Sequence, residues 1–145
     1  MDIIIENCNF KEIANLLPYA VVVTNRSGEV VWSNPSFYEL CGYTNEELIG
    51  RKPGSILQGR ETNPKTVQAL HQAVEKGQAI KTEIINYHKK GDPYWASIAI
   101  TPIRNKKNKV IGFIALEHDT TKKHERIKSL EEQVVELYSV LVSID

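Results

Sequence analysis

Three runs rich in β-branched and aromatic residues, 79 to 88, 93 to 104 and 109 to 118, follow one another with only Lys89-Lys90-Gly91-Asp92 and Asn105-Lys106-Lys107-Asn108 between them. Connections this short cannot cross over a sheet to make parallel pairs, so the runs predict an antiparallel meander of three strands. Residues 19 to 24 (YAVVVT) and 29 to 33 (EVVWS), joined by the turn-forming Asn25-Arg26-Ser27-Gly28, predict a hairpin. The two groups of strands need helices to cover one face of the sheet they build, and the chain between them supplies helical signals.

Asn34-Pro35 can cap and open a helix through about Leu40, and Thr44-Asn45-Glu46-Glu47 has the form of a capping box. Residues 50 to 62 read as a loop with one turn of helix around Ile56 and Leu57. Asn63, Pro64 and Gly77 frame a longer helix in which Val67, Leu70, His71 and Val74 share one face, which puts His71 on the inward stripe. Ahead of the first strand, Phe10, Ile13 and Leu16 or Leu17 precede Pro18 at near-helical spacing and predict a short capping helix. The fold class is therefore α+β, a five-stranded antiparallel sheet with helices on one face and a pocket between the layers.

The pattern changes at Thr120. Ile127, Leu130, Val134, Leu137, Leu141 and Ile144 recur at the three-and-four spacing of a coiled-coil seam, and Val135, Val140 and Val142 widen it. Two arrangements fit this stripe: pairing with a second helix, or packing back on the helix's own domain. The outer sheet face, with Ile85, Tyr87, Trp95, Ala99, Ile114 and Leu116, asks for cover by the Phe10 helix or by a second subunit.

Lysine plus arginine equals aspartate plus glutamate at 18 each, so no overall field draws in nucleic acid or an anionic membrane. No apolar run has the length of a membrane span, and Met1 to Glu6 lacks the basic region of a signal peptide, which makes a cytoplasmic location the expectation. Cys8 and Cys41 lack CxxC spacing and suggest neither a disulfide framework nor zinc. No catalytic or metal-binding constellation stands out, and the adjacent His118 and Asp119 point to opposite faces of a strand. The chain reads as a module rather than an enzyme.

The stretches VVWSNPSFYELCGYTNEELIGR, GDPYWASIAITPI and GFIALEHDTTKKH resemble the PAS family, over about residues 10 to 121. Within that family, LIGRKPGSILQGRETNP with INYHKKGDPYWASIAITPI is similar to the light-oxygen-voltage photosensors. The turn from Gly91 to Trp95 also resembles the FAD-binding PAS domains of the aerotaxis receptor and the nitrogen-fixation regulator. The resemblance implies a bound flavin that senses light, redox state or oxygen, and it directs attention to Asn86, Gln58, Glu117, His71, Ser55, Ala96 and Trp95 as cofactor-binding positions.

Carried over position by position, the likeness is partial. The photosensors' reactive cysteine opens a Cys-Arg-Phe-Leu-Gln-Gly run, which here reads Gly54-Ser55-Ile56-Leu57-Gln58-Gly59, so the thiol for a bond to the flavin is missing. Ser55 and His71 stand where that family holds the FMN phosphate with two arginines, with Arg60 the nearest substitute, and this favours FAD over FMN. The FAD-binding relatives carry a tryptophan at His71. Strand alternation puts Ile84 and Asn86 on one face, as it does Tyr94, Ala96, Ile98 and Ile100, and Phe113, Ala115 and Glu117, and the resemblance implies that this is the pocket face. Asn86 and Gln58 match the photosensors' amides, whereas Ala96 and Glu117 replace an asparagine and a glutamine. A pocket filled by side chains, with no ligand, is one alternative. Haem on His71 is another, although haem ligands of related domains lie nearer Thr66 and Val67.

These readings divide the chain into a cap segment (1–18), a sensor domain (19–120) and a signalling helix (121–145). The expected function is a sensory module relaying flavin chemistry through a dimeric helix to a downstream effector domain or partner protein. The alternatives are a ligand-free dimerisation module and a haem-based gas sensor. Homodimerisation is expected under any of them, with neither nucleic acid nor membrane as partner.

Overall fold

The computed structural model describes residues 9–144. Cys8 and the Met1 to Glu6 stretch discussed above lie outside the described residues, as does much of the cap segment. Helix α1 (Phe10–Asn15) opens at Asn9, whose side chain accepts from the Glu12 amide while the Glu12 carboxylate accepts from the Asn9 N–H. Strands β1 (Ala20–Asn25) and β2 (Val30–Ser33) make the hairpin. Three short helices follow, α2 (Pro35–Cys41), α3 (Asn45–Leu48) and α4 (Gly54–Leu57), then the longer α5 (Pro64–Lys76). Strands β3 (Ile80–Tyr87), β4 (Pro93–Arg104) and β5 (Val110–Asp119) form the meander, and α6 (Thr121–Ile144) closes the chain.

The boundaries follow local chemistry. Thr44 and Glu47 exchange the reciprocal bonds of a capping box at α3. Asn63 caps α5, Pro64 occupies its first turn, and Gly77 ends it with φ +66°, a conformation that carries no penalty in glycine.

Strand order is β2-β1-β5-β4-β3, so the last strand lies in the middle of the sheet and joins hairpin to meander through pairs from Ala20↔Glu117 to Asn25↔Gly112. A side chain at Gly112 would run into the Thr24 carbonyl, which explains glycine at that close crossing. The free edge of β3 is covered by the 59–62 loop. Thr62 Oγ1 donates to the Ile85 carbonyl at 2.7 Å and accepts from the Gly59 amide at 2.9 Å, while the Tyr87 hydroxyl accepts from the Glu61 amide at 2.8 Å. That cover removes the open ladder along which sheets aggregate.

Helices and sheet meet in two apolar clusters. Val22, Val30, Phe37, Cys41, Leu48 and Leu57 form one beneath α2 to α4, and Leu70, Ile84, Tyr94, Ala96 and Ile98 form the other beneath α5, with Leu40 packed against both. Each large side chain withdrawn from water here is worth about 1.5–3 kcal/mol. Cys41 is fully buried, and burial pushes its thiol up to about 11, so it is a packing residue. Between hairpin, α1 and α2 sits the buried Asn34 amide. Its oxygen accepts from Val21 N (2.8 Å) and Phe37 N (3.1 Å), and its nitrogen donates to Ala14 O and Tyr19 O (both 2.9 Å).

The outer sheet face is covered at its two ends. Phe10 of α1 meets Trp32 edge-on at 5.7 Å, and His124 of α6 stacks on Trp95 at 3.9 Å, leaving Leu116 half-exposed between them. Beyond this first contact α6 leaves the domain: every side chain from 125 to 143 is exposed, so the helix does not pack back on its own sheet. No helix among the described residues is long and apolar enough to cross a membrane.

Candidate functional site

Strand alternation on β1, β3, β4 and β5, closed by α4 and α5, encloses a cavity of about 880 Å³. Its walls are largely apolar: Val22, Ile84, Ile98, Ile100, Phe113 and Ala115 from the sheet, with Leu57, Leu70 and Val74 from the helices. Such a volume lies within the range of small-molecule and cofactor pockets. Set into the apolar wall are the Asn86 amide, beside the Tyr94 hydroxyl, and the Glu117 carboxyl, both buried. Burial pushes Glu117 up to about 7, because withdrawal from water penalises the charged form. The Tyr94 hydroxyl nearby is buried without a hydrogen-bond partner among the described residues, and burial followed by the Glu117 charge raises its pKa.

The profile of the PAS domain family matches residues 18–122, most of the chain. The chain belongs to the PAS domain family. Its curated relatives include a blue-light-activated histidine kinase of Brucella anthropi, 31% identical over 127 residues that make up 86% of this chain and 26% of the kinase. The chain thus spans about a quarter of that relative's length. Among solved structures, an RNA-binding light-oxygen-voltage receptor superposes with a TM-score of 0.77 at 28% identity, over 88% of this chain and 36% of the receptor. The light-oxygen-voltage domain of the Erythrobacter litoralis EL346 blue-light activated histidine kinase shares the fold, with a TM-score of 0.67 at 24% identity over 72% of this chain and 98% of that domain.

Within this PAS domain the structure gathers five of the seven positions noted from the sequence around one cavity: Asn86, Glu117, Gln58, Ser55 and His71. Asn86 and Glu117 lie inside, and Gln58 folds back over Gly54. Its amide nitrogen lies 2.7 Å from where a Cβ at position 54 would sit, so the glycine leaves room for it. Ser55 and His71 are exposed on the rim. His71 is therefore not on the inward stripe: Leu70 and Ala73 take the buried face of α5, and His71 is turned toward the opening. The Ser55 hydroxyl donates to the Lys52 carbonyl at 2.7 Å, bracing the loop before α4.

Ala96 and Trp95 do not line the cavity. Ala96 is sealed in the cluster with Leu70, Ile84 and Tyr94, and strand alternation turns Trp95 to the outer face, where the His124 imidazole covers it. Arg60 is also outside the lining, since it lies in the loop that runs to the β3 edge. Two cations that sequence reading passed over, Arg26 and Lys52, stand at the rim instead. Arg26 was hidden in a turn whose composition explained it sufficiently. A basic residue in a loop becomes a site residue only through where the loop lands.

The cavity connects to α6 through a short path. Glu117 lies three residues before Thr120, whose amide donates to the Trp95 carbonyl at 2.8 Å, and the Trp95 amide donates to Thr121 Oγ1 at 2.9 Å. The Asp119 carboxylate accepts from the Thr121 amide at 2.8 Å. On the same face Glu83 accepts from Thr120 Oγ1 at 3.0 Å, contacts His124 Nε2, and lies 3.6 Å from Lys123 Nζ. The hydrogen bond to His124 leads the causes that hold the Glu83 carboxyl below its ordinary value.

Proposed function

We propose that this PAS domain is the sensory module of a signal-transduction protein, with a flavin in its cavity. The observation that carries the reading is the pair of buried polar groups, Asn86 and Glu117, in an otherwise largely apolar cavity of about 880 Å³. Polar side chains in such a place cost stability without a ligand to meet them. The edge of an isoalloxazine ring offers an imide N–H and carbonyls, which an asparagine amide and a carboxyl can pair with. Bound flavin would supply light absorption and electron-accepting chemistry. The protein would orient the ring by Asn86 and Gln58, exclude water with the apolar walls, and hold a proton or a charge at Glu117. FAD is favoured over FMN, because the opening at Ser55 and His71 lets a long tail leave the cavity. The comparison with blue-light-activated kinases supports light as the signal, and redox state and oxygen are the further candidates.

Gly54 and the Gln58 amide folded over it leave no thiol at the cavity wall in this segment. Purified protein is accordingly expected to show a flavin absorbance that blue light does not bleach into the near-ultraviolet species of a cysteine bond to the ring. Absorbance spectra before and after illumination check both halves. A protein that neither carries nor takes up flavin would favour the ligand-free dimerisation module, and a Soret band would favour haem.

We further propose that α6 pairs with its copy in a homodimer and passes the signal to an effector. Leu130, Leu137 and Leu141 are 54%, 65% and 66% exposed along one helix, a stripe that a second helix would bury. Leu130→Asp with Leu137→Asp places four charges in such a seam and is expected to weaken association at least about 100-fold, from a few kcal/mol of desolvation. Light scattering over a concentration series checks it. A monomeric parent, or a mutant as dimeric as the parent, removes the proposal.

A further inference from the structure

We infer that Arg26 and Lys52 form an anion subsite at the rim of the cavity that takes the phosphate of the bound cofactor. The inference rests on the flavin reading above and assigns the part of the ligand that leaves the apolar interior. Arg26 is held in place. Its Nη1 donates to the Val74 carbonyl at 2.6 Å, its Nη2 donates to the Glu75 carbonyl at 2.9 Å, and its guanidinium lies 5.6 Å over the ring of Phe113, a wall of the cavity. Two of five N–H donors are thereby engaged at the end of α5, and the remainder are available without the loss of freedom that ordering a loose arginine entails.

Lys52 lines the same cavity from the loop before α4, where its backbone carbonyl accepts from the Ser55 hydroxyl. Neither cation has a carboxylate within ion-pair distance among the described residues: the ion pairs there are Lys89–Glu47, Lys123–Glu83 and His124–Glu83. The rim also carries the Glu75 carboxylate, and the Glu117 carboxyl lies deeper in the same cavity, so the positive excess is local to Arg26 and Lys52. Beside a low-dielectric wall that excess acts more strongly than in open water. A planar fork and a flexible point charge together suit a phosphate better than a carboxylate, which offers fewer acceptor directions.

The test compares riboflavin, FMN and FAD, which share the ring and differ in phosphate, by fluorescence titration of cofactor-stripped full chain. Wild-type protein is expected to bind FMN or FAD at least about 10-fold more tightly than riboflavin. Lys52→Gln should remove most of that advantage and leave the riboflavin affinity unchanged. The Lys52 side chain makes no hydrogen bond to a described residue, so this variant should fold as the parent does. Arg26→Lys keeps charge but loses the fork, and is expected to reduce the advantage while a thermal melt checks the hairpin.

Equal affinity of the wild type for riboflavin and FMN, or an equal loss of both in Lys52→Gln, overturns the subsite while leaving flavin binding intact. If none of the three flavins binds, the flavin reading falls by itself. Millimolar pyrophosphate then decides the subsite: shifts of the Ser27, Lys52 and Ser55 amide resonances that vanish in Lys52→Gln support it, and their absence in the wild type overturns it.

Discussion

Asn34→Ala is expected to cost about 3–5 kcal/mol of folding stability. The asparagine amide makes four hydrogen bonds, to Val21 N, Phe37 N, Ala14 O and Tyr19 O, and is 2% exposed. Alanine leaves two backbone donors and two acceptors without that partner, at a place where water enters only by opening the packing around Phe37. Each unsatisfied buried group costs about 1–3 kcal/mol, and relaxation recovers part of the sum. The loss should be local as well as global, because the same amide ties the end of α1 to the start of β1 and caps α2. Urea unfolding gives the global figure, and faster proteolysis within residues 9–16 reports the release of α1. A loss below about 1 kcal/mol would mean that neighbouring groups or water take over the four bonds.

Glu117→Gln is expected to stabilise the ligand-free protein by about 2–3 kcal/mol above pH 7 and to do little at pH 4.5. Burial raises the Glu117 carboxyl from its ordinary 4.5 to about 7, so between these values the folded chain holds a proton that the unfolded chain has released. Stability therefore falls as pH rises through that window, by up to about 1.4 kcal/mol per unit, and levels off above it. Glutamine keeps the shape and cannot ionise, so it should erase this part of the profile. Cys41 of α2 and Tyr94 of β4 are the titratable neighbours that feel the Glu117 charge, and both are raised further from neutral pH by it. The difference between parent and variant across about pH 4.5–8.5 is the quantity to measure, because contributions common to both chains cancel in it. Parallel profiles would show that Glu117 ionises freely. With flavin bound, loss of the carboxylate should also raise the reduction potential, since a negative charge beside the ring opposes its reduction.

Much of the architecture was legible because it is written in local chemistry. Asn63-Pro64 and Gly77 frame α5, Thr44 and Glu47 cap α3, and the meander strands begin and end within a residue or two of their predicted limits. Which residues of β3 and β5 share a face followed from a period of two, which a strand cannot evade, and the family resemblance said which face is the cavity's. The same rule failed at the start of β4. Tyr94 and Ala96 do face the helices, but α5 and Leu40 close over them before the cavity begins. Alternation fixes a side, and the packed neighbour decides whether that side is cavity or core. His71 was misread for a related reason: on a helix that only roofs a cavity, one residue beyond Leu70 already turns outward. Long-range partners were beyond reach altogether. Nothing in the sequence joins Arg26 to the carbonyls of Val74 and Glu75, or Asn34 to Ala14, because those pairings depend on the order in which strands assemble.

The way α6 is fastened to the sheet restricts how this chain can change length. Its first turn is set by the Thr120 amide on the Trp95 carbonyl and the Trp95 amide on the Thr121 hydroxyl, so the direction in which Leu130 and Leu137 point is determined by counting residues from that anchor. Each inserted or deleted residue between Thr121 and the seam would turn the stripe by about 100°, as a ratchet turns by one tooth. Insertions of seven restore its heading to within about 20°. Length variants of this chain should therefore keep the proposed pairing of α6 only when they differ here in steps of seven residues, however freely the side chains themselves are changed.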